Sequence, residues 1–88
     1  MKYFAFRVYT PFVGEEADVY IAAETKDEAV VAAAEACNEN GLEWMDEEDL
    51  SNYDMNEEDY FEQCHYVCLG ELTREQYEEY AAEGEWCI

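Results

Sequence analysis

Residues 2–10 read KYFAFRVYT, and their side chains alternate with a period of two. Successive side chains of a strand point to opposite faces, so one face is predicted to hold Phe4, Phe6 and Val8. The opposite face is predicted to hold Tyr3, Ala5, Arg7 and Tyr9. Pro11 has no amide hydrogen for a sheet ladder, so the strand is predicted to end before it.

The residues that follow predict a hairpin. Residues 11–16 (PFVGEE) predict a turn, in which Gly14 is free to adopt a positive φ. Residues 17–24 alternate again, with Val19, Ile21 and Ala23 on one face and Asp18, Tyr20 and Ala22 on the other. Pairing two neighbouring strands across a short turn is the simplest arrangement.

A capping box predicts the first helix. The Thr25 hydroxyl can accept the Glu28 amide hydrogen, and the Glu28 carboxylate can accept the Thr25 amide hydrogen. The helix is predicted over residues 26–39, with Asn40 and Gly41 as a left-handed stop. Its predicted apolar stripe is Val30, Ala33, Ala34 and Cys37, and its predicted solvent side carries Glu28, Glu35 and Glu39.

A third strand is predicted over residues 61–69 (FEQCHYVCL), which alternate once more. One face would hold Phe61, Gln63, His65, Val67 and Leu69, and the other Glu62, Cys64, Tyr66 and Cys68. The pattern leaves open which face meets the first helix.

A second capping box, at Thr73 and Gln76, predicts a helix that runs to about Glu83 and ends at Gly84. Its predicted exposed residues are Glu75, Glu78, Glu79 and Glu83. Residues 86–88 (WCI) are a candidate for a short closing strand or a docked tail.

These elements predict one α+β domain over residues 1–88, in the order ββαβα, with a three-stranded antiparallel sheet, two helices and a candidate fourth strand. Half of the residues are hydrophobic and 16% are aromatic, which is too rich for a disordered acidic chain. No internal repeat is visible.

Residues 43–62 (EWMDEEDLSNYDMNEEDYFE), hereafter the acidic segment, contain ten carboxylates and no Lys, Arg or His. We expect an ordered loop held by its apolar residues, with a candidate helical turn near residues 45–50. The chain has a formal net charge of −20, whereas a small soluble domain typically carries about 2–8 charges. Either a partner selects for this charge, or the source is halophilic.

The residues do not point to catalysis or to a metal. In a strand, Cys64 and Cys68 would lie roughly 13 Å apart, too far to share a zinc ion, and His65 would point to the opposite face. Calcium loops started at Asp54 or at Asp46 place the wrong residues at the turn and ligand positions. We therefore expect no enzyme activity, no metal and no cofactor, and we expect reduced cysteines.

Tyrosine is the other unusual feature of the composition. Tyr3, Tyr9, Tyr20 and Tyr66 are predicted to share a face of the sheet, with Arg7 as a candidate neighbour. This face is either covered by the second helix or is a contact surface, since tyrosine is enriched at interface hot spots.

Carboxylates at this density can take the place of phosphates. B-form DNA carries one negative charge per roughly 1.7 Å of axis, and glutamates one helical turn apart are about 5–6 Å apart. The predicted partner-binding residues are Glu43, Asp46, Glu47, Glu48, Asp49, Asp54, Glu57, Glu58, Asp59, Glu62, Glu75 and Glu79. Their partner would be a basic nucleic-acid-binding protein or nuclease complex, and the chain itself is expected to bind neither nucleic acid nor membrane.

In size, charge and aromatic content, the chain resembles the small acidic inhibitors that phages and mobile elements use against host defence, namely DNA-mimic anti-restriction and acidic anti-CRISPR proteins. The resemblance is compositional and covers the whole chain, so it assigns no individual site residue. It implies an inhibitor that occupies the nucleic-acid-binding surface of a defence nuclease. The alternative is an intracellular adaptor or antitoxin-like module that binds through an acidic and tyrosine-rich surface.

The start of the chain gives an expectation about location. Met1 and Lys2 lead directly into the first predicted strand, without the apolar region of a signal peptide. We expect a cytoplasmic protein, in the host cytoplasm if a phage encodes it.

Overall fold

A three-stranded antiparallel sheet is the centre of the computed structural model, which describes residues 1–12 and 15–88. The strands are β1 (Lys2–Tyr9), β2 (Glu16–Ala23) and β3 (His65–Leu72), in the order β2-β1-β3. The predicted α+β class and the hairpin are confirmed. The conformation predicted for Gly14 lies outside the described residues.

Helix α1 (Lys26–Trp44) covers one face of this sheet. The first core lies between them, and small helix residues allow a close approach of helix and sheet. This first core consists of Phe4, Phe6, Val8, Val19, Ile21, Ala29, Ala33, Ala36 and Cys37.

The capping box predicted at the N-terminus of α1 is only half formed. The Thr25 hydroxyl accepts the Glu28 amide hydrogen, but the Glu28 carboxylate accepts from the Glu24 amide and not from the Thr25 amide.

The predicted end of α1 is wrong, because the helix continues through Asn40 and Gly41 to Trp44. Both residues are buried. A Cβ atom at Gly41 would lie 3.2 Å from Cys64 Sγ and 3.2 Å from Phe61 Cε1. Glycine therefore permits a close contact inside the helix here and does not form a turn.

The prediction of a loop for the acidic segment is wrong, whereas the helical turn predicted near residues 45–50 and the anchoring by apolar residues are confirmed. It contains two short helices, α2 (Glu47–Asn52) and α3 (Glu57–Gln63). The Asp46 side chain accepts from the Glu48 amide at 2.9 Å, and the Asn56 side chain accepts from the Asp59 amide at 2.8 Å. Both helices are thus capped at the N-terminus.

Because α3 occupies residues 57–63, β3 begins four residues later than the strand predicted from residue 61. Tyr66 pairs with Val8 and Cys68 pairs with Phe6, so these side chains lie on the face covered by α1. Val67 pairs with Arg7 on the opposite face, and a bulge interrupts the ladder between Ala5 and Phe6. This register settles which face of β3 meets α1.

Helix α4 (Arg74–Ala82) packs on the face of the sheet opposite α1. The predicted capping box at Thr73 and Gln76 is present. Gly84 adopts a φ of 81° after the helix, and the Gly84 and Glu85 amides donate to the Ala81 and Tyr80 carbonyls. This is the glycine C-cap that the sequence predicts.

The C-terminal residues lie along the outer edge of β2. The Tyr20 amide donates to the Trp86 carbonyl, the Ile88 amide to the Tyr20 carbonyl, and the Ala22 amide to the Ile88 carbonyl, at 2.9–3.0 Å. Tyr20 and Cys87 form a parallel bridge. The candidate fourth strand is therefore present as a short pairing segment. None of the helices in the described residues is long and apolar enough to span a membrane.

Candidate acidic interface

A second core holds the acidic helices against the rest of the molecule. It consists of the buried residues Phe12, Leu50 and Tyr60, with Met45, Met55, Phe61 and Cys64 packed around them. The Tyr60 ring lies 5.2 Å from that of Phe12. The Tyr60 hydroxyl donates to the Gly41 carbonyl at 2.9 Å, in the last turn of α1, where carbonyls lack partners within the helix.

Burial in this second core makes two weak acids harder to ionise. It raises the pKa of Tyr60 to about 12 and the pKa of Cys64 to about 11. Burial also raises the pKa of the Cys37 and Cys87 thiols. Thiols in this state are poor nucleophiles because the thiolate is the reactive form.

The structure brings ten of the twelve predicted partner-binding residues together around the second core. Nine of the ten are exposed, and Asp49 is half-buried. Glu43 lies near the end of α1, Asp46 caps α2, and Asp54 connects α2 to α3 with a φ of 52°. The others lie on α2 and α3, namely Glu47, Glu48, Asp49, Glu57, Glu58, Asp59 and Glu62.

Glu75 and Glu79, the other two predicted residues, do not join this group. They are exposed on α4, which packs on the opposite face of the sheet from α1. They add charge to another side of the molecule and are not part of the acidic segment's surface.

Basic side chains do not neutralise the acidic segment. Arg7 binds Asp18 with two hydrogen bonds of 2.6 and 3.2 Å, and Arg74 binds Glu78 at 2.9 Å. These are the two ion pairs found among residues 1–12 and 15–88, and neither includes a residue of the acidic segment. The carboxylates of α2 and α3 are free to meet an external cation.

The face of the sheet that carries Tyr3, Arg7, Tyr9 and Tyr20, hereafter the tyrosine face, is only partly covered. Tyr80 of α4 stacks on Tyr20 with ring centroids 4.0 Å apart, and the ring of Tyr77 is tilted against that of Tyr3 at 4.8 Å. The predicted membership of Tyr66 is wrong, because its register places it beside Phe6 on the α1 face.

The uncovered part of the tyrosine face carries the stacked rings of Tyr9 and His65, 4.6 Å apart, and the exposed side chains of Val67 and Leu69. Beside it runs an open groove of about 350 Å³, lined by Arg7, Asp18, Tyr20, Leu69 and Tyr80 among others. The two interpretations of this face thus apply to different halves of it: α4 covers one half, and the other is free for contact.

Cys64 does not lie in the strand predicted for it, whereas Cys37 and Cys68 lie in the predicted helix and strand. Cys64 caps the C-terminus of α3 and is not in a strand, so the strand spacing used to separate it from Cys68 does not apply. Cys64 packs into the second core, whereas Cys68 is exposed. Within the described part of the chain, all four cysteines are free and no group of three or more potential ligands could hold a metal ion.

Comparison of the chain with protein-family models, with curated proteins and with solved structures gives no match.

One sequence signal was missed. Asp46-Glu47-Glu48-Asp49-Leu50 and Asn56-Glu57-Glu58-Asp59-Tyr60 repeat one pattern, a capping residue followed by three carboxylates and a buried apolar residue. Carboxylates in the first turn favour a helix because they complement its dipole. The recurring pattern is therefore a local signal for the starts of two short helices.

Proposed function

We propose that this protein is a non-enzymatic inhibitor that occupies the nucleic-acid-binding surface of a basic partner, such as a nuclease or another effector of host defence. The observation that carries the proposal is the pair of capped helices in the acidic segment. Their carboxylates are held in place by the second core and have no cation in the described structure.

The amount and spread of charge support this proposal. The molecule measures 43 × 26 × 16 Å, and its formal net charge is −20. A DNA duplex 43 Å long carries about 25 phosphate charges. The protein therefore offers a partner nearly the charge of a DNA segment of its own length.

Fixed carboxylates also suit an inhibitor better than a flexible tail would. A disordered acidic segment must lose conformational entropy when it binds. Here the second core has already ordered α2 and α3, so less of the interaction energy is spent on ordering. Attraction at long range would also speed the encounter, by about 10–10³-fold at low salt.

The same charge opposes direct binding of nucleic acid. Both arginines are engaged with carboxylates, and a polyanion would be repelled by the rest of the surface. The action we propose is on the protein that binds nucleic acid, in the cytoplasm, and it involves no chemical step.

An adaptor or antitoxin-like module is the second candidate. The observation that favours it is the uncovered half of the tyrosine face, where Tyr9, His65, Val67 and Leu69 form a contact surface of low charge. An adaptor would bind through this half and would use the acidic segment mainly for steering.

Two matched variants separate these functions. The first replaces Asp46, Glu47, Glu48 and Asp49 by their amides, and the second replaces Asp27, Glu28, Glu35 and Glu39 on α1 by theirs. Each removes four charges, and asparagine at position 46 can still cap α2.

Proteins captured from the native host by the wild type are purified and tested for nucleic-acid binding by mobility shift. We expect the wild type and the α1 variant to inhibit that binding, and the α2 variant to be clearly weaker. Equal inhibition by both variants, or capture of a partner that binds no nucleic acid, would contradict the proposal.

A further inference from the structure

The two outer edges of the sheet differ. The edge of β2 is covered by the C-terminal residues, which hydrogen-bond to Tyr20 and Ala22. The edge of β3 has no pairing partner anywhere in residues 1–12 and 15–88. An unpaired edge presents a row of free backbone N–H and C=O groups, which is a template for another strand.

The features that protect this edge, a bulge and the charge of Glu71, are confined to the C-terminal half of β3. The strand is eight residues long and contains neither lysine nor proline. Val67 and Leu69 are 40% and 48% exposed, and both lie on the tyrosine face. Its bulge is near Gly70, so the ladder is regular from His65 to Cys68.

The elements that precede and follow β3 in the chain are acidic helices. α3 ends at Gln63, just before β3 begins, and α4 begins at Arg74, just after it ends. The exposed carboxylates nearest in sequence to the strand are those of Glu62, Glu71 and Glu75. An extended segment laid along the roughly 26 Å of β3 would run from one acidic group to another.

We infer that the edge of β3 binds an extended basic segment of the partner, which adds to the sheet as a fourth full-length strand. Backbone hydrogen bonds to β3 provide affinity, and apolar side chains at alternate positions contact Val67 and Leu69. Lysine or arginine residues of the segment meet the carboxylates at the two ends. This inference rests on the proposed function and states how a basic partner is held.

A second copy of this chain is a poor occupant of the same edge. Antiparallel pairing of two β3 strands would bring α3 of one copy beside α4 of the other, and both are acidic. Each copy also has a net charge of −20, so a pair repels itself at close range. Charge complementarity therefore favours a basic segment over a second copy of the chain as the occupant of the β3 edge.

The first test uses a synthetic peptide of alternating lysine and valine, as long as β3, and its fully N-methylated counterpart. The methylated peptide keeps the charges and side chains but has no backbone N–H to donate. We expect the unmethylated peptide to bind more than about tenfold tighter, since several backbone hydrogen bonds are lost on methylation. Amide exchange within residues 65–72 should slow when it binds.

Equal affinity of the two peptides would overturn the inference, because binding would then be electrostatic only. Protection confined to α2 and α3 would overturn it as well. So would a free protein that sediments as a dimer with β3 already protected, since a second copy would then occupy the edge.

The second test uses two variants with the same change in charge. Val67→Lys with Leu69→Lys places charges on the edge, and Val31→Lys with Leu42→Lys places them on exposed positions of α1. We expect the edge variant to lose more than about tenfold in affinity for the unmethylated peptide and the α1 variant to lose less than about twofold. Circular dichroism confirms that each variant is folded.

The outcomes distinguish this inference from the proposed function. If the edge variant and the α1 variant bind the peptide equally, the inference is wrong, while weaker inhibition by the α2 amide variant would still support mimicry by the acidic segment. If the edge variant loses peptide binding but the α2 amide variant inhibits fully, the edge binds strands and the assignment of inhibition to the acidic segment is wrong.

Discussion

The Tyr60 hydroxyl donates a hydrogen bond to the Gly41 carbonyl oxygen across nineteen residues of sequence. It joins α3 to the last turn of α1, and the Tyr60 side chain is fully buried. The charged segment is therefore attached to the domain by a buried contact between an aromatic side chain and a helix end.

This contact gives a first prediction. Tyr60→Phe keeps the ring but leaves the Gly41 carbonyl without its side-chain partner, so we expect unfolding free energy to fall by about 1–3 kcal/mol. Denaturant unfolding measures the change. Tyr53→Phe is the control, since Tyr53 is exposed and stacks on Phe12. A loss of similar size in the control would show that the hydrogen bond is not the cause.

The second prediction concerns alkaline pH. Burial raises the pKa of Cys64 from 9.0 to about 11 and the pKa of Tyr60 from 10.0 to about 12. The folded state thus holds the protons more tightly, and this contribution to stability is full below pH 9 and is lost as the pH rises through 11 and 12. Thermal unfolding of Cys64→Ala with Tyr60→Phe should depend less on pH in this range than that of the wild type. An unchanged pH dependence would contradict the assignment to these groups.

The third prediction concerns salt. With a net charge of −20, the folded protein repels itself over a Debye length of about 30 Å at 0.01 M salt and about 8 Å at 0.15 M. The melting temperature should therefore rise between these two concentrations. The rise should be smaller in the variant with amides at residues 46–49, which carries less charge. A melting temperature that falls with salt would show that attractive pairs outweigh the repulsion.

The predictable parts of the fold are those encoded by local pattern. The period-two alternation of residues 2–10 specifies β1, and the N-cap at Thr25 and the capping box at Thr73 specify where their helices begin. The signals for the hydrophobic face of β1 and for the helix stop at Gly84 also lie in neighbouring residues. In each case the signal and the structure that it produces lie within about ten residues of each other.

The parts that were not predictable depend on contacts distant in sequence. Asn40 and Gly41 form a local stop signal, but Gly41 instead admits Cys64 and Phe61 against α1, and the helix continues. α2 and α3 have six and seven residues, too few turns for a periodic apolar stripe. Leu50 and Tyr60 fix them only because Phe12 completes the second core. The exposure of the carboxylates could be predicted from sequence, and their arrangement could not.

The fourth prediction follows from the caps. The Asp46 side chain accepts the Glu48 amide hydrogen at 2.9 Å, and Glu47, Glu48 and Asp49 occupy the first turn of α2. Replacing all four residues by lysine removes the cap, which is worth about 0.5–2 kcal/mol, and places positive charge at the positive end of the helix dipole. Less self-repulsion would partly offset this loss, so we expect the lysine variant to be less stable than the amide variant at about 0.15 M salt, where repulsion is screened. Denaturant unfolding of the two variants side by side measures the difference.

A third variant keeps Asp46 and replaces the other three residues by lysine. It should recover the part of the lost unfolding free energy that is due to the cap. If the variant that keeps Asp46 is no more stable than the four-lysine variant, the Asp46 cap contributes nothing to holding α2. Any loss of partner binding by the lysine variant would then be an effect of charge alone.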